Sequence, residues 1–439
     1  MPGKQTVRFT LSLTCILALG VTFVALTGAS EPSAAPAAAA AWPQFRGPER
    51  NAISAESGLR KSWEGAPPKL AWQSSGLGAG FSSMSIAGDR IYTMGDLGDE
   101  QFIFGLNRAD GKILWKTKIG PSWDDQYPGP RGTPTIDGDR LYAIGTEGDL
   151  LCLNRADGSV AWKKSLPNDF GGRVMTVWKY AESPLVDGDR VVVTPGGPWA
   201  GLVALDKASG KTIWASEIPS LGPKGRDGAG YSSVVISNGA GVKQYVQMMG
   251  KGLVGVRASD GKFLWGYNNV ANNVANIPTP IISGDFVFAS TSYSTGAALL
   301  RLVKDGEGVK AEEVYFMPFN QFQNHHGGMV LVGGYIYAGH GHNRGFPICI
   351  EMSTGKVAWG GDIRNSGTGS AAVLYADGNL YFRYQNGVMM LIGASPSGYQ
   401  EKGSFTIPNV NKPSWSHPVI LDGTLYLREQ DALYAYNLK

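Results

Sequence analysis

From residue 68 to the end, short apolar runs alternate with glycine-containing turns, and the pattern repeats. The stretch LNRADGKILW (Leu106–Trp115) returns as LNRADGSVAW (Leu153–Trp162), LDKASGKTIW (Leu205–Trp214), VRASDGKFLW (Val256–Trp265) and IEMSTGKVAW (Ile350–Trp359). Each copy predicts strand, tight turn, strand. An apolar run ends in a polar residue, then Asp-Gly, Ser-Gly or Thr-Gly sets the turn, because glycine reaches backbone angles closed to other residues. The resumed strand carries the Trp. Adding Trp72, and Tyr315 and Phe405 in the weaker copies, puts eight aromatic anchors on one period, with steps of 43, 47, 52, 51, 50, 44 and 46 residues. A second hairpin falls between anchors, as in SIAGDRIYTMG (Ser85–Gly95), TIDGDRLYAIG (Thr135–Gly145) and ILDGTLYLR (Ile420–Arg428).

Each period therefore holds four strands. Four-stranded antiparallel units repeated radially make a β-propeller, so the expected fold is all-β with eight blades. The last unit has only three strands, ending in DALYAYNL (Asp431–Leu438), while KLAW (Lys69–Trp72) has a strand but no unit of its own. The N-terminal strand is expected to complete the C-terminal blade and remove an open edge. The anchor aromatics are expected to fill the space between neighbouring blades rather than to bind a ligand.

Composition narrows the class. Glycine stands at 61 residues, concentrated at turns. With 39 basic and 36 acidic residues the net charge is +3, and no basic block occurs, which argues against a nucleic-acid partner. Cys152 and Cys349 occupy the repeat position held elsewhere by Gly105 and Ala204. They read as small core residues, too far apart in the ring for a disulfide.

The N-terminal region has the layout of a secretory signal peptide over residues 1–29. Lys4 and Arg8 precede an apolar run from Phe9 to Leu26, and Thr27-Gly28-Ala29 offers a cleavage site. An Ala/Pro-rich spacer and a wrapping segment follow over 30–66, with residues 30–41 expected to be unstructured and the propeller spanning 67–439. These features imply export to the periplasm or outside the cell, with no membrane span after the leader.

The [DST]-G-K-x-x-W anchor, the x-G-D-R-[ILV]-Y hairpin and the opening WPQFRGPERNAIS (Trp42–Ser54) resemble the pyrroloquinoline quinone (PQQ) propeller superfamily across residues 42–438. That resemblance implies the eight-bladed fold and two classes of function. One is a non-enzymatic scaffold of the BamB type, with other envelope proteins as partners. The other is a quinoprotein dehydrogenase of alcohols or sugars, using PQQ and Ca2+. Fold alone does not choose between them.

The loops leading into the innermost strands lie on one face of a propeller. They carry Arg131, Tyr180, Glu182, Tyr231, Asn276, His325, His326, Trp415 and His417, which form the expected site for a small molecule or peptide. The family's cofactor chemistry calls for Arg or Lys against the PQQ carboxylates, an aromatic stack, a carboxylate and an Asn on calcium, and an Asp base. Arg131, Trp415, Glu182 and Asn276 are the matching residue types. No Asp base lies in these loops, no adjacent-cysteine pair occurs, and no CxxCH is present for a covalent haem. No catalytic residue is assigned. His325, His326, His340 and His342 lie within 18 residues of sequence and form a candidate metal set, since paired imidazoles can ligate a transition metal. GLGAG (Gly76–Gly80) lacks the setting of a dinucleotide loop, and no G-x-S-x-G is present.

Overall fold

The computed structural model describes residues 41–439. The expected leader and most of the expected spacer lie outside the described residues. Eight antiparallel sheets follow in chain order: residues 85–121, 135–165, 185–216, 235–267, 281–318, 329–360, 371–406 and 419–437, here blades 1 to 8. The fold is an eight-bladed β-propeller with four antiparallel strands per blade. The strand Lys69–Ser74 pairs antiparallel with Ala432–Asn437 and forms the outer edge of blade 8. The first strands of blades 1, 2 and 3 neighbour one another, as do those of blades 4 through 7.

The anchors explain why the repeat is needed. Trp115 sits across from Gly105, Trp162 from Cys152, Trp214 from Ala204 and Trp359 from Cys349, so the small position makes room for an indole. Each indole then reaches the next blade. Trp115 Nε1 donates to the Arg155 carbonyl at 3.2 Å and Trp162 Nε1 to that of Lys207 at 3.0 Å. The hairpin tyrosines Tyr92 and Tyr142 donate to the same two carbonyls, both at 3.0 Å. The turn glycine is where the two blades touch. Gly158 has φ +75, and a Cβ there would fall 2.5 Å from the Trp115 ring. The Asp-Gly turn thus satisfies its own backbone and the preceding blade's indole together. Cys152 and Cys349 are buried and unbridged.

The sequence does not anticipate the short helix Leu166–Phe170, which Ser165 caps at its N-terminus and a left-handed Gly171 closes. Ala41, expected within an unstructured spacer, already pairs with Ala87.

Residues 41–56 do more than wrap the ring. Ala41–Trp42 adds a fifth strand to blade 1, and Pro43 accepts from Ile136 of blade 2. Arg50 reaches carbonyls leading into blades 3 and 4, and Arg46 donates to the Met329 carbonyl of blade 6. Ile53–Ser54 pairs parallel with blade 7, and Ser54 Oγ donates to Ile420 of blade 8. All of these contacts are to innermost strands or the residues just before them. The segment is therefore an axial plug, stitched to every blade except the fifth.

Candidate functional site

The loops before the innermost strands of blades 1 to 4 are joined by a chain of hydroxyls. Ser82 Oγ donates to the Gly132 carbonyl at 2.6 Å. Ser183 Oγ accepts from Thr133 N at 2.9 Å, and Ser233 Oγ accepts from Ser183 N at 3.0 Å. This rigid rim frames a cavity of about 390 Å³ on the loop face, of a size that holds a small organic molecule.

Of the nine residues expected to form the site, six line the cavity: Arg131, Tyr231, His325, His326, Trp415 and His417. The other three are used by the fold. Tyr180 donates to the Pro195 carbonyl at 2.9 Å. Glu182 is buried and accepts from Thr194 N at 2.7 Å, Thr194 Oγ1 at 2.9 Å and Gln247 Nε2 at 3.2 Å. Burial pushes its carboxyl up to about 7, against these hydrogen bonds and the nearby Arg50 charge. Asn276 donates to the carbonyls of Met249 and Gly250 and accepts from Asn272 N.

The histidines divide in the same way. His325 stands 4.2 Å from His326 and 4.4 Å from His342, ring centre to ring centre. His340 is elsewhere: it stacks on Phe322 and accepts from Gln323 N, away from the cavity. The expected four-histidine set therefore does not assemble. Among the described residues no group of three or more His, Cys, Asp or Glu is arranged to hold a metal ion. His325 bonds Tyr293 Oη at 3.0 Å and Ser370 Oγ at 2.7 Å, and His342 bonds Ser292 Oγ at 2.9 Å. Both ring nitrogens of His325 are thereby engaged within the protein, which leaves it no free lone pair for a metal.

The wall is largely aromatic. Trp415 lies 4.7 Å from Tyr127, 4.9 Å from Phe81 and 4.6 Å from His326, and its Nε1 donates to Gln385 at 2.8 Å. Arg131 stacks on Trp123 at 4.4 Å and donates to the carbonyls of Tyr127 and Gly129. The plug supplies the deep end through Phe45 and Arg46. Reasoning from the repeat missed these two because they lie outside it. Their signal is chemical: an FR pair flanked by Pro and Gly (Pro43, Gly47) in a segment with no strand pattern. Backbone strain also gathers here. Arg46, Tyr293 and Asn343 line the cavity with φ of 63, 57 and 48, a region that side-chain-bearing residues rarely adopt and that often marks functional sites.

Two guanidinium groups and no carboxylate line this cavity. Among the described residues the cavity lining therefore offers no anionic oxygen for calcium, a hard cation that binds through carboxylates and carbonyls. Glu182 and Asn276, the residue types suited to calcium, are spent on strand ends. The donor set does not fit calcium-assisted PQQ chemistry.

The buried imidazoles predict acid sensitivity. Burial holds His325 and His417 down to about 3 and His326 well below its ordinary value. His342 adds to the effect at His325, the Arg46 charge at His417, and the neighbouring histidines and Arg131 at His326. A base depressed in the folded state gives up stability as pH falls from about 6.5 toward 3, because the unfolded chain takes up the proton first. Glu182 opposes this: its raised value adds stability as pH falls from 7 to about 4.5. Burial depresses His340 and His342 as well, and raises Asp96 and Asp149. Depressed imidazoles thus outnumber raised carboxyls, and stability is expected to fall by at least about 1 kcal/mol from pH 7 to pH 5. Urea unfolding at pH 7, 6 and 5 measures it, and His417→Asn is expected to flatten the slope.

A family model described as the outer membrane protein assembly factor BamB matches residues 99–361, more than half of the chain. No match is found among curated proteins. Among solved structures the chain is similar to BamB from Moraxella catarrhalis, 13% identical over 79% of this chain and 94% of that one, with a TM-score of 0.54. It is also similar to the quinohemoprotein alcohol dehydrogenase of Comamonas testosteroni, 11% identical over 91% and 80%, TM-score 0.61. The quinohemoprotein alcohol dehydrogenase ADHIIG of Pseudomonas putida HK5 is 13% identical over 91% and 80%, TM-score 0.59. Identities this low establish the fold and leave the activity to the site. With the repeats, the eight blades and the family match in agreement, the chain belongs to the PQQ-repeat family of β-propellers, whose matching model bears the BamB description.

Proposed function

We propose that this protein is a binding or scaffolding propeller of the cell envelope, exported by its leader, which takes a small molecule or the end of a peptide in the loop-face cavity. The observation that carries this reading is the lining: aromatic walls and two arginines, with no carboxylate to act as a base or to hold a metal. The BamB description of the family model supports envelope proteins as partners. The layout of residues 1–29 supports export. No helix among the described residues is long and apolar enough to cross a membrane.

A second reading is a quinoprotein oxidoreductase of alcohols or sugars. Trp415 and Arg131 favour it, since a flat anionic cofactor needs an aromatic face and a guanidinium. One titration separates the two. Purified protein is mixed with PQQ, with and without Ca2+, and assayed for dye-linked oxidation of alcohols and sugars. The binding reading expects no turnover and no effect of Ca2+ on any PQQ affinity. Turnover that requires both PQQ and Ca2+ would overturn it.

A further inference from the structure

The two plug arginines sit a few residues apart and are treated differently by the fold. Arg50 is fully engaged: Nε donates to Gln44 Oε1 at 2.7 Å, Nη1 to the carbonyls of Ser183 and Val234 at 3.1 and 2.9 Å, and Nη2 to that of Pro184. Arg46 is equally buried, at 4% exposure, yet only Nη2 is bonded, to the carbonyls of Met329 and Asn51. Among the described residues its Nε and Nη1 have no partner. Leaving two nitrogens of a buried cation unpaired is costly, and Arg50 demonstrates that this segment can give every nitrogen of a guanidinium a partner.

The unpaired donors are not isolated. Among the described residues His417 Nδ1, the lone-pair nitrogen of a ring whose Nε2 meets the His326 carbonyl, and His326 Nε2 are also buried without partners, and both rings line the same cavity as Arg46. Gly328 holds the gap where they meet. A Cβ at this position would fall 2.7 Å from Arg46 Nη1 and 3.3 Å from His417 Cε1, and its φ of +74 also favours glycine. The Trp415 indole and the His326 ring, 4.6 Å apart, line the same cavity. The unpaired donors of one buried guanidinium, in a cavity walled by aromatic rings and lined by no carboxylate, are complementary to an oxyanion carried on a flat apolar body.

We propose that the cavity binds an aromatic oxyanion, its anionic oxygens received by Arg46 Nε and Nη1, and its ring lying against Trp415. This rests on the binding reading above and names the class of ligand. Arg46 is the specificity-determining residue. Arg131, whose guanidinium is stacked and already donates to two backbone carbonyls, lends charge to the cavity rather than the fork that receives the oxygens.

The test uses 2-naphthoate and its neutral amide, 2-naphthamide, titrated into the full protein up to roughly 10 mM with tryptophan fluorescence as readout. Naphthoate is expected to bind at least about tenfold more tightly than the amide, as the loss of a charge-assisted hydrogen bond predicts. In Arg46→Gln that preference is expected to vanish while amide affinity stays within about twofold. Arg46→Gln also removes a bond to the plug, so an unchanged circular dichroism spectrum is required of it. Should it fail to fold, Arg46→Lys provides the second arm: it keeps a charge but not the planar fork, and naphthoate preference is expected to fall by about threefold or more. Equal binding of acid and amide would overturn the oxyanion assignment and leave the binding reading standing. Binding of neither probe would overturn both. Preference for naphthoate that survives Arg46→Gln unchanged in a folded protein would remove Arg46 from the role.

Discussion

Arg50→Met is expected to lower the unfolding free energy by about 3–5 kcal/mol, the range found when one partner of a buried charged network is removed. Arg50 is 4% exposed, three of its bonds tie the plug to blades 3 and 4, and the fourth, to Gln44, braces the plug itself. Methionine fills a similar volume but leaves the carbonyls of Ser183, Pro184 and Val234 without these donors. It also removes the positive charge that helps Glu182 to ionise, so the loss is expected to grow as pH rises toward 8. Arg46→Met provides the contrast. It deletes a cation with two unpaired donors, so the desolvation it relieves offsets much of what is lost, and the expected change is smaller than for Arg50→Met. Urea unfolding followed by fluorescence compares the two. A loss below about 1 kcal/mol for Arg50→Met would mean that the plug does not hold the ring as described.

Trp214→Ala is expected to cost about 3–5 kcal/mol, the range for truncating a large buried aromatic. Trp214 is 8% exposed and stands across from Ala204, and its Nε1 donates to the Ala258 carbonyl of the next blade at 3.2 Å. Its ring also covers the turn glycine Gly261, where a Cβ would fall 2.6 Å from it. Truncation therefore opens a void between blades 3 and 4 and leaves a carbonyl without its indole donor. Trp214→Phe keeps most of the area and loses the hydrogen bond, for an expected cost of roughly 1–2 kcal/mol. Trp199, half exposed at 50%, provides the control: its replacement by Ala is expected to change stability by less than about 0.5 kcal/mol. Equal effects at positions 199 and 214 would contradict the inter-blade role of the anchors.

The site was partly legible before the fold was known. His326, Trp415 and His417 were accessible to sequence reasoning because they sit in loops that a propeller must bring to one face. Glu182 and Asn276 sit in equivalent loops and have suitable chemistry, yet both turn inward to satisfy Thr194 and the carbonyls of Met249 and Gly250. Position in a repeat specifies the face on which a residue emerges. It does not specify whether a neighbouring strand end will claim the side chain. His340 fails for a related reason: His342, two residues on, reaches the cavity past the end of the strand, whereas the His340 ring packs on Phe322.

Local chemistry repeated along the chain was enough to specify the strands, the turns, the number of blades and the class of the anchor residues. Each of these depends on contacts within one unit or with the next, and such contacts leave a period in the sequence. The plug, the unpaired donors of Arg46 and the absence of any carboxylate from the cavity depend on contacts between residues hundreds of positions apart, with no period to announce them. Only closure of the ring around residues 41–56 decides which polar groups are satisfied by backbone and which remain free to meet a ligand.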